Sequence, residues 1–179
     1  APYETCLDTD PPCAIMPLLP GITPEIHYEK GRMDYTSLMG VSVQMGRTLA
    51  QIHHCRRPLD GAGIPNLPGA KLDHARLLHL DYHIGNVLGV PLHGWQITGV
   101  LDWTCARWGP VEADLVELQV SLFVANPQAR TAFLSGYRQV SGYLPDLSMV
   151  EAHARTEIRR RLKEDPPSPE LRGIWEAWL

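Results

Sequence analysis

Asp81, Asn86 and Asp102 are the residues whose types and spacing could do chemistry together. They are set in two apolar runs. The first is Leu77-Leu78-His79-Leu80-Asp81-Tyr82-His83-Ile84-Gly85-Asn86-Val87-Leu88, and the second is Gly99-Val100-Leu101-Asp102-Trp103. Two carboxylates and one amide oxygen are hard oxygen donors, the kind that Mg²⁺ prefers. For them to meet, the chain must fold back on itself. The first run predicts a short strand entering a tight loop, then a strand over Val87 to Val90. Pro91-Leu92-His93-Gly94 is turn chemistry, and Gln96 to Leu101 predicts the returning strand. Such a hairpin brings Asn86, at the start of one strand, close to Asp102, at the end of the other. Asp81 lies on the loop that feeds it.

These residues carry a family resemblance. His79-x-Asp81-x-x-x-x-Asn86, followed by an Asp at a strand end, resembles the catalytic loop and metal-binding Asp of protein-kinase-like folds. Asp-Tyr-His-x-Gly-Asn in the loop and Val-Leu-Asp-Trp at the second site make it similar to the aminoglycoside phosphotransferase family, also called the phosphotransferase enzyme family. Trp108-Gly109-Pro110 and Ala113-Asp114-Leu115 add a third matching piece in the family's order. Leu80 stands where the family often has Gly, and Ile84 where it often has Pro. Neither change touches a polar catalytic group.

The resemblance implies an α+β fold. Residues 22–179 are expected to form the mainly helical C-terminal lobe of a kinase-like fold with a small catalytic β-hairpin. Residues 1–21 are expected to be a remnant of the N-terminal lobe sheet and the hinge. The implied reaction transfers the γ-phosphate of ATP, or GTP, with Mg²⁺, to a hydroxyl of a small molecule. Asp81 would be the catalytic base. Asp102 and Asn86 would hold the metal and, through it, the nucleotide. His83 would donate to the γ-phosphate. The hinge resemblance over Ala14 to Gly21 places Met16 and Leu19 against adenine. Pro17 has no N–H to donate, so a neighbour such as Leu19 must. Asp114 is expected to accept backbone N–H groups of the catalytic loop, and His79 to brace it.

Nothing before residue 77 offers a Gly-rich phosphate-covering loop or the strand Lys of a complete kinase-like enzyme. The alternative expectation is therefore a catalytically silent, lobe-only binding module. By either reading the chain on its own is expected to turn over ATP slowly or not at all.

The 179 residues suffice for one domain with a core. A net charge of -4 gives no case for nucleic acid or an anionic membrane as partner. No apolar run approaches the ~20 residues that span a bilayer. Cys6, Cys13, Cys55 and Cys105 show no metal-ligand spacing, which suits thiols in a reducing cytoplasm.

The remaining elements must carry the site. Leu38, Val41, Met45, Leu49 and Ile52 recur at helical spacing and predict a helix over Asp34 to Arg56. Its terminal His53 and His54 point about 100° apart and are read as packing or surface residues. Val111 to Val124 predicts a helix with Val111, Leu115, Leu118 and Leu122 on one side. Asn126-Pro127 predicts a capped helix start for a helix to about Val140. Pro145-Asp146 starts another, whose Arg159-Arg160-Arg161 run is expected to be a solvated C-terminus. Ser168 is expected to cap a last helix bearing Trp175 and Trp178. Glu112, Asp114, Glu117, Glu151 and Glu157 are expected to be available to an aminated acceptor.

Overall fold

A computed structural model of the chain describes residues 4–6, 13–15, 18–57, 63–91, 94–165 and 167–179. Strands β1 (Glu4–Cys6) and β2 (Cys13–Ile15) pair antiparallel. A short helix α1 (Pro24–Glu29) follows, and then α2 (Tyr35–Ile52). Strand β3 (Arg76–Leu78) pairs antiparallel with β6 (Arg107–Gly109). Between them lies the expected hairpin, β4 (Val87–Pro91) and β5 (Trp95–Val100), in register Val87 to Val100. A 3-10 turn over Val111–Asp114 leads into α3 (Leu115–Leu118), then α4 (Pro127–Ser141), α5 (Leu147–Glu164) and α6 (Pro169–Trp178). Small antiparallel sheets among helices make the expected α+β fold.

The core forms where α2 crosses α4. Val41, Met45 and Leu49 of α2 and Phe133 and Tyr137 of α4 are fully buried. Two glycines let these helices touch backbone to backbone. A Cβ on Gly46 would overlap the Phe133 carbonyl oxygen, and one on Gly136 would overlap that of Val43. Tyr82, from the loop between β3 and β4, is sealed into the same core. It donates its hydroxyl to Met45 O at 3.0 Å. The loop is thereby nailed to the middle of α2.

Several elements depart from expectation. Helix α2 starts at its Asp34 cap, which accepts from Ser37 N at 2.7 Å, but ends at Ile52 rather than Arg56. His53 N still bonds Leu49 O, while Cys55 N turns to Ile52 O. The chain must straighten there, because Arg56 pairs with Arg76 in an antiparallel bridge beside β3. The segment after Asp114 is not one continuous α-helix. It widens to a π turn at Gln119–Phe123, with Val124 N bonding Gln119 O. The expected inward stripe survives, since Val111, Leu115, Leu118 and Leu122 are all buried. Asn126 precedes α4 but makes no side-chain cap; its amide donates to Tyr28 Oη and Leu122 O. Ser168 caps α6 as expected, accepting from Leu171 N. Strand β6 and helix α1 had no sequence counterpart. Three-residue β6 is too short to show a period, and α1 is six residues long.

The arginine run is a solvated terminus only in part: Arg159 and Arg160 are exposed, while Arg161 is half-buried. Helix α5 continues past it to Glu164. Arg161 bridges Glu117 and Glu157, and Arg160 bonds Glu157 and Glu164.

Candidate active site

The site is built on a backbone turn that a buried carboxylate enforces. Asp114 is fully buried at the start of α3. Its carboxylate accepts His79 N at 2.9 and 3.0 Å, and Leu80 N as well. To aim two successive N–H groups at one carboxylate, Leu80 takes φ 65°. A leucine there costs about 1–2 kcal/mol, which the bonds to Asp114 offset. The expectation that Asp114 braces the loop is met.

His79 ties the two halves of the site together. Its Nε2 lies 2.7 Å from Leu101 O, a pure acceptor, so Nε2 carries the proton. Its Nδ1 accepts from Asp81 N at 3.3 Å. One neutral imidazole therefore fixes the backbone of Asp81 and that of the residue before Asp102.

Asn86 closes the loop from the other side. Its Nδ2 donates to Asp81 Oδ2 at 2.8 Å and to Asp81 O at 2.9 Å. Its carbonyl oxygen accepts Leu101 N at 2.8 Å. The amide nitrogen is thus spent on Asp81. The amide oxygen accepts no hydrogen bond among the described residues, which leaves a neutral hard donor next to the Asp102 strand end. Asp102 itself is exposed and sits at φ 55°. Its Oδ1 accepts from Thr104 Oγ1 at 2.6 Å and from Thr104 N at 3.3 Å. Those bonds, the hydroxyl's first, hold the Asp102 carboxyl below the usual carboxylate range.

His83 is oriented by its own loop. Nδ1 accepts Gly85 N at 3.0 Å, so Nε2 bears the proton; it stands 3.7 Å from Asp81 Oδ1, beyond hydrogen-bond reach. Leu19 lies on the far side of the hairpin, its methyl over Gly99. The segment around it is held by Ile22 N to Gly89 O and Gly89 N to Ile22 O, each 3.0 Å. Leu19 N–H makes no hydrogen bond among the described residues. Met16, the other hinge residue, lies outside the described residues.

The sequence reading missed His53. Its ring is buried, with Nε2 donating to Asp114 Oδ2 at 3.0 Å and Nδ1 accepting from Tyr137 Oη at 2.8 Å. It is neither a surface nor a mere packing residue; it extends the loop brace into the α2–α4 core. Only the fold brings it to Asp114, 61 residues away in sequence. His54 Nδ1 bonds Ala50 O, at the end of α2.

The five acidic residues expected near an acceptor are engaged elsewhere. Asp114 holds the loop, Glu112 accepts Asp146 N, Glu117 and Glu157 pair with Arg161, and Glu151 pairs with Arg130. They stabilise the helical layer, so none stands as an unpartnered receiver of amines. Among the described residues no group of three His, Cys, Asp or Glu side chains could hold a metal ion. A pair formed by Asp102 and the Asn86 oxygen still suits Mg²⁺, which keeps waters and substrate phosphates beside one or two protein ligands. No helix is long and apolar enough to cross a membrane among the described residues.

Part of the chain is similar to a known family. The model of the phosphotransferase enzyme family matches residues 62–148, which include Asp81, Asn86, Asp102 and Asp114. A search of curated proteins finds no match. Among solved structures, the chain is similar to a protein from Ralstonia eutropha assigned as an aminoglycoside phosphotransferase. The TM-score is 0.52 at 15% identity, over 99% of this chain and 77% of that one. It also matches a macrolide 2'-phosphotransferase from Brachybacterium faecium, at TM-score 0.47 and 19% identity, over 93% of this chain and 69% of that one. The first likeness agrees with the fold. The family resemblance read in the sequence is borne out.

Proposed function

We propose, from the match of residues 62–148 to the model of the phosphotransferase enzyme family, that the chain transfers the γ-phosphoryl group of ATP to a hydroxyl of a small molecule. The observation that carries this reading is a pair of hydrogen bonds at Asn86, one donated by its side-chain amide and one accepted by its backbone carbonyl. One holds the Asp81 carboxylate, and the other holds the backbone before Asp102. These bonds support a reading in which Asp81, before β4, acts as base and Asn86 and Asp102, at the open end of the hairpin, would hold a metal.

Asp102 and the Asn86 amide oxygen would hold Mg²⁺. Bound there, the metal would neutralise phosphate charge. The chain's own residues do the rest. Asp81 accepts the acceptor's hydroxyl proton and aligns the oxygen for attack. Its Oδ2 already accepts from Asn86, so the carboxylate's orientation is set before substrate arrives. His83 presents Nε2–H beside Asp81, where it can donate to a phosphoryl oxygen. Leu19 offers its backbone N–H to the adenine edge, with its side chain against the hairpin. Since the acidic residues of the helical layer are already paired, acceptor choice rests on groups other than those five.

Calorimetric titration of Mg·ATP tests the reading. Binding by the parent chain is expected, together with its loss in Asp102→Ala and its retention in Asp81→Asn. A parent chain that binds no Mg·ATP, or an Asp102→Ala variant that binds it equally well, would overturn the assignment.

A further inference from the structure

A second cluster lies beside the loop brace, and neither Asp81 nor Asp102 lines it. The end of α2, the start of β3 and the end of α4 enclose a cavity of about 210 Å³. His53, His54, Arg56, Arg76, Ser141 and Tyr143 line it. No carboxylate does.

The two arginines are set against each other. Arg56 and Arg76 are direct partners in an antiparallel bridge. Directly opposite residues of such a pair project to the same face with Cα atoms about 4.5–5.5 Å apart. Like charges so placed repel. Neither arginine has an ion-pair partner among the described residues, although the whole chain is acidic at -4. Arg76 Nη1 donates to Ala75 O at 3.2 Å and His74 O at 3.4 Å, which orients its guanidinium and leaves Nη2 and Nε unused among those residues. His54 Nδ1 donates to Ala50 O, which fixes its ring at the cavity wall. The volume equals roughly seven bulk water molecules. That is room for one tetrahedral oxyanion with part of its hydration.

We propose that this cavity is a binding site for a phosphate-class oxyanion, held between Arg56 and Arg76. An anion between them turns the cross-strand repulsion into two attractions. Guanidinium forks match phosphate oxygens two at a time. The site is separate from the nucleotide site, and its wall includes His53. Through His53 the bound anion touches the Asp114 brace that positions Leu80 and Asp81.

Titration of inorganic phosphate into the chain, without nucleotide or Mg²⁺ and against chloride at matched ionic strength, tests this. Saturable one-site binding is expected. Arg56→Ala and Arg76→Ala should each weaken it at least tenfold, and Asp102→Ala should leave it unchanged. Arg56 is exposed in the segment after α2, so its variant remains informative if the β3 variant fails to fold. A phosphomonoester that binds tenfold tighter than inorganic phosphate would identify the phosphoryl group of a larger molecule as occupant; equal or weaker binding would identify free phosphate. Heat no different from chloride would overturn the site. So would phosphate affinity unchanged in Arg56→Ala, or affinity lost in Asp102→Ala alone. Amide exchange at Leu80 should slow several-fold under saturating phosphate; an unchanged rate would overturn the link to the catalytic loop.

Discussion

Asp81 and Asp102 are both carboxylates at turns, but their surroundings differ. Asp81 is half-buried and accepts from an amide side chain, while Asp102 is exposed and, among the described residues, accepts only from Thr104. Under the proposed function, this difference would separate a proton acceptor from a ligand open to a cation. In an enzyme competent for turnover, Asp81→Asn should lower kcat by two orders of magnitude or more and leave Mg·ATP affinity within about twofold. Asp102→Ala should abolish metal-dependent nucleotide binding. Paired calorimetry and steady-state kinetics check both. An Asp81 variant that lost affinity but kept full turnover at saturation would reverse the two assignments.

At the scale of elements, the α2–α4 crossing and the α5 ion pairs make opposite kinds of demand. The crossing needs the absence of atoms. Gly46→Ala would push a methyl into the Phe133 carbonyl, and backbone cannot rotate away as a side chain can. A loss of about 3 kcal/mol is expected, read from chemical denaturation, and Gly136→Ala should behave alike. The ion pairs of α5 need charge. Hydrogen bonds from Arg160 and Arg161 hold the Glu157 carboxyl down to about 2 from its ordinary 4.5. A lowered folded-state value means the stabilisation is fully present above about 4.5 and disappears as pH falls towards 2. The melting difference between the parent and Glu157→Gln should therefore be largest near neutrality and shrink through that acid window. A difference that stayed constant with pH would show the pairs contribute nothing by charge, a common outcome for exposed pairs.

Across the whole molecule, one buried chain of hydrogen bonds links the catalytic loop to the core. It runs from Leu80 and His79 through Asp114 and His53 to Tyr137. Asp114→Ala orphans three donors and should cost about 3 kcal/mol. His53→Ala should cost a similar amount. Because the two residues share one bond, the double variant should lose clearly less than the sum of the singles. Thermal and denaturant melts of the four proteins complete the cycle. Strict additivity would mean that the network does not act as a unit.

The spacing of Asp81, Asn86 and Asp102 was legible in the sequence because it depends on one hairpin, and hairpin signals are local. Turn residues between two apolar runs set the register, and the register set which residues meet. The α2 stripe and the Ser168 cap were legible for the same reason, since periodicity and capping act within a few residues. Asp114 as a brace was read through the family resemblance. The tertiary structure alone decided its partner His53, the arginine pair across the α2–β3 bridge, and the withdrawal of five acidic residues into internal contacts. It also decided the early end of α2 and the π turn. Most of these join segments distant in sequence, and the π turn is a local departure from α-helical spacing. Their cause is the packing of one element on another, where the energy of a contact overrides the preference of either segment, and no local pattern in the chain encodes that choice.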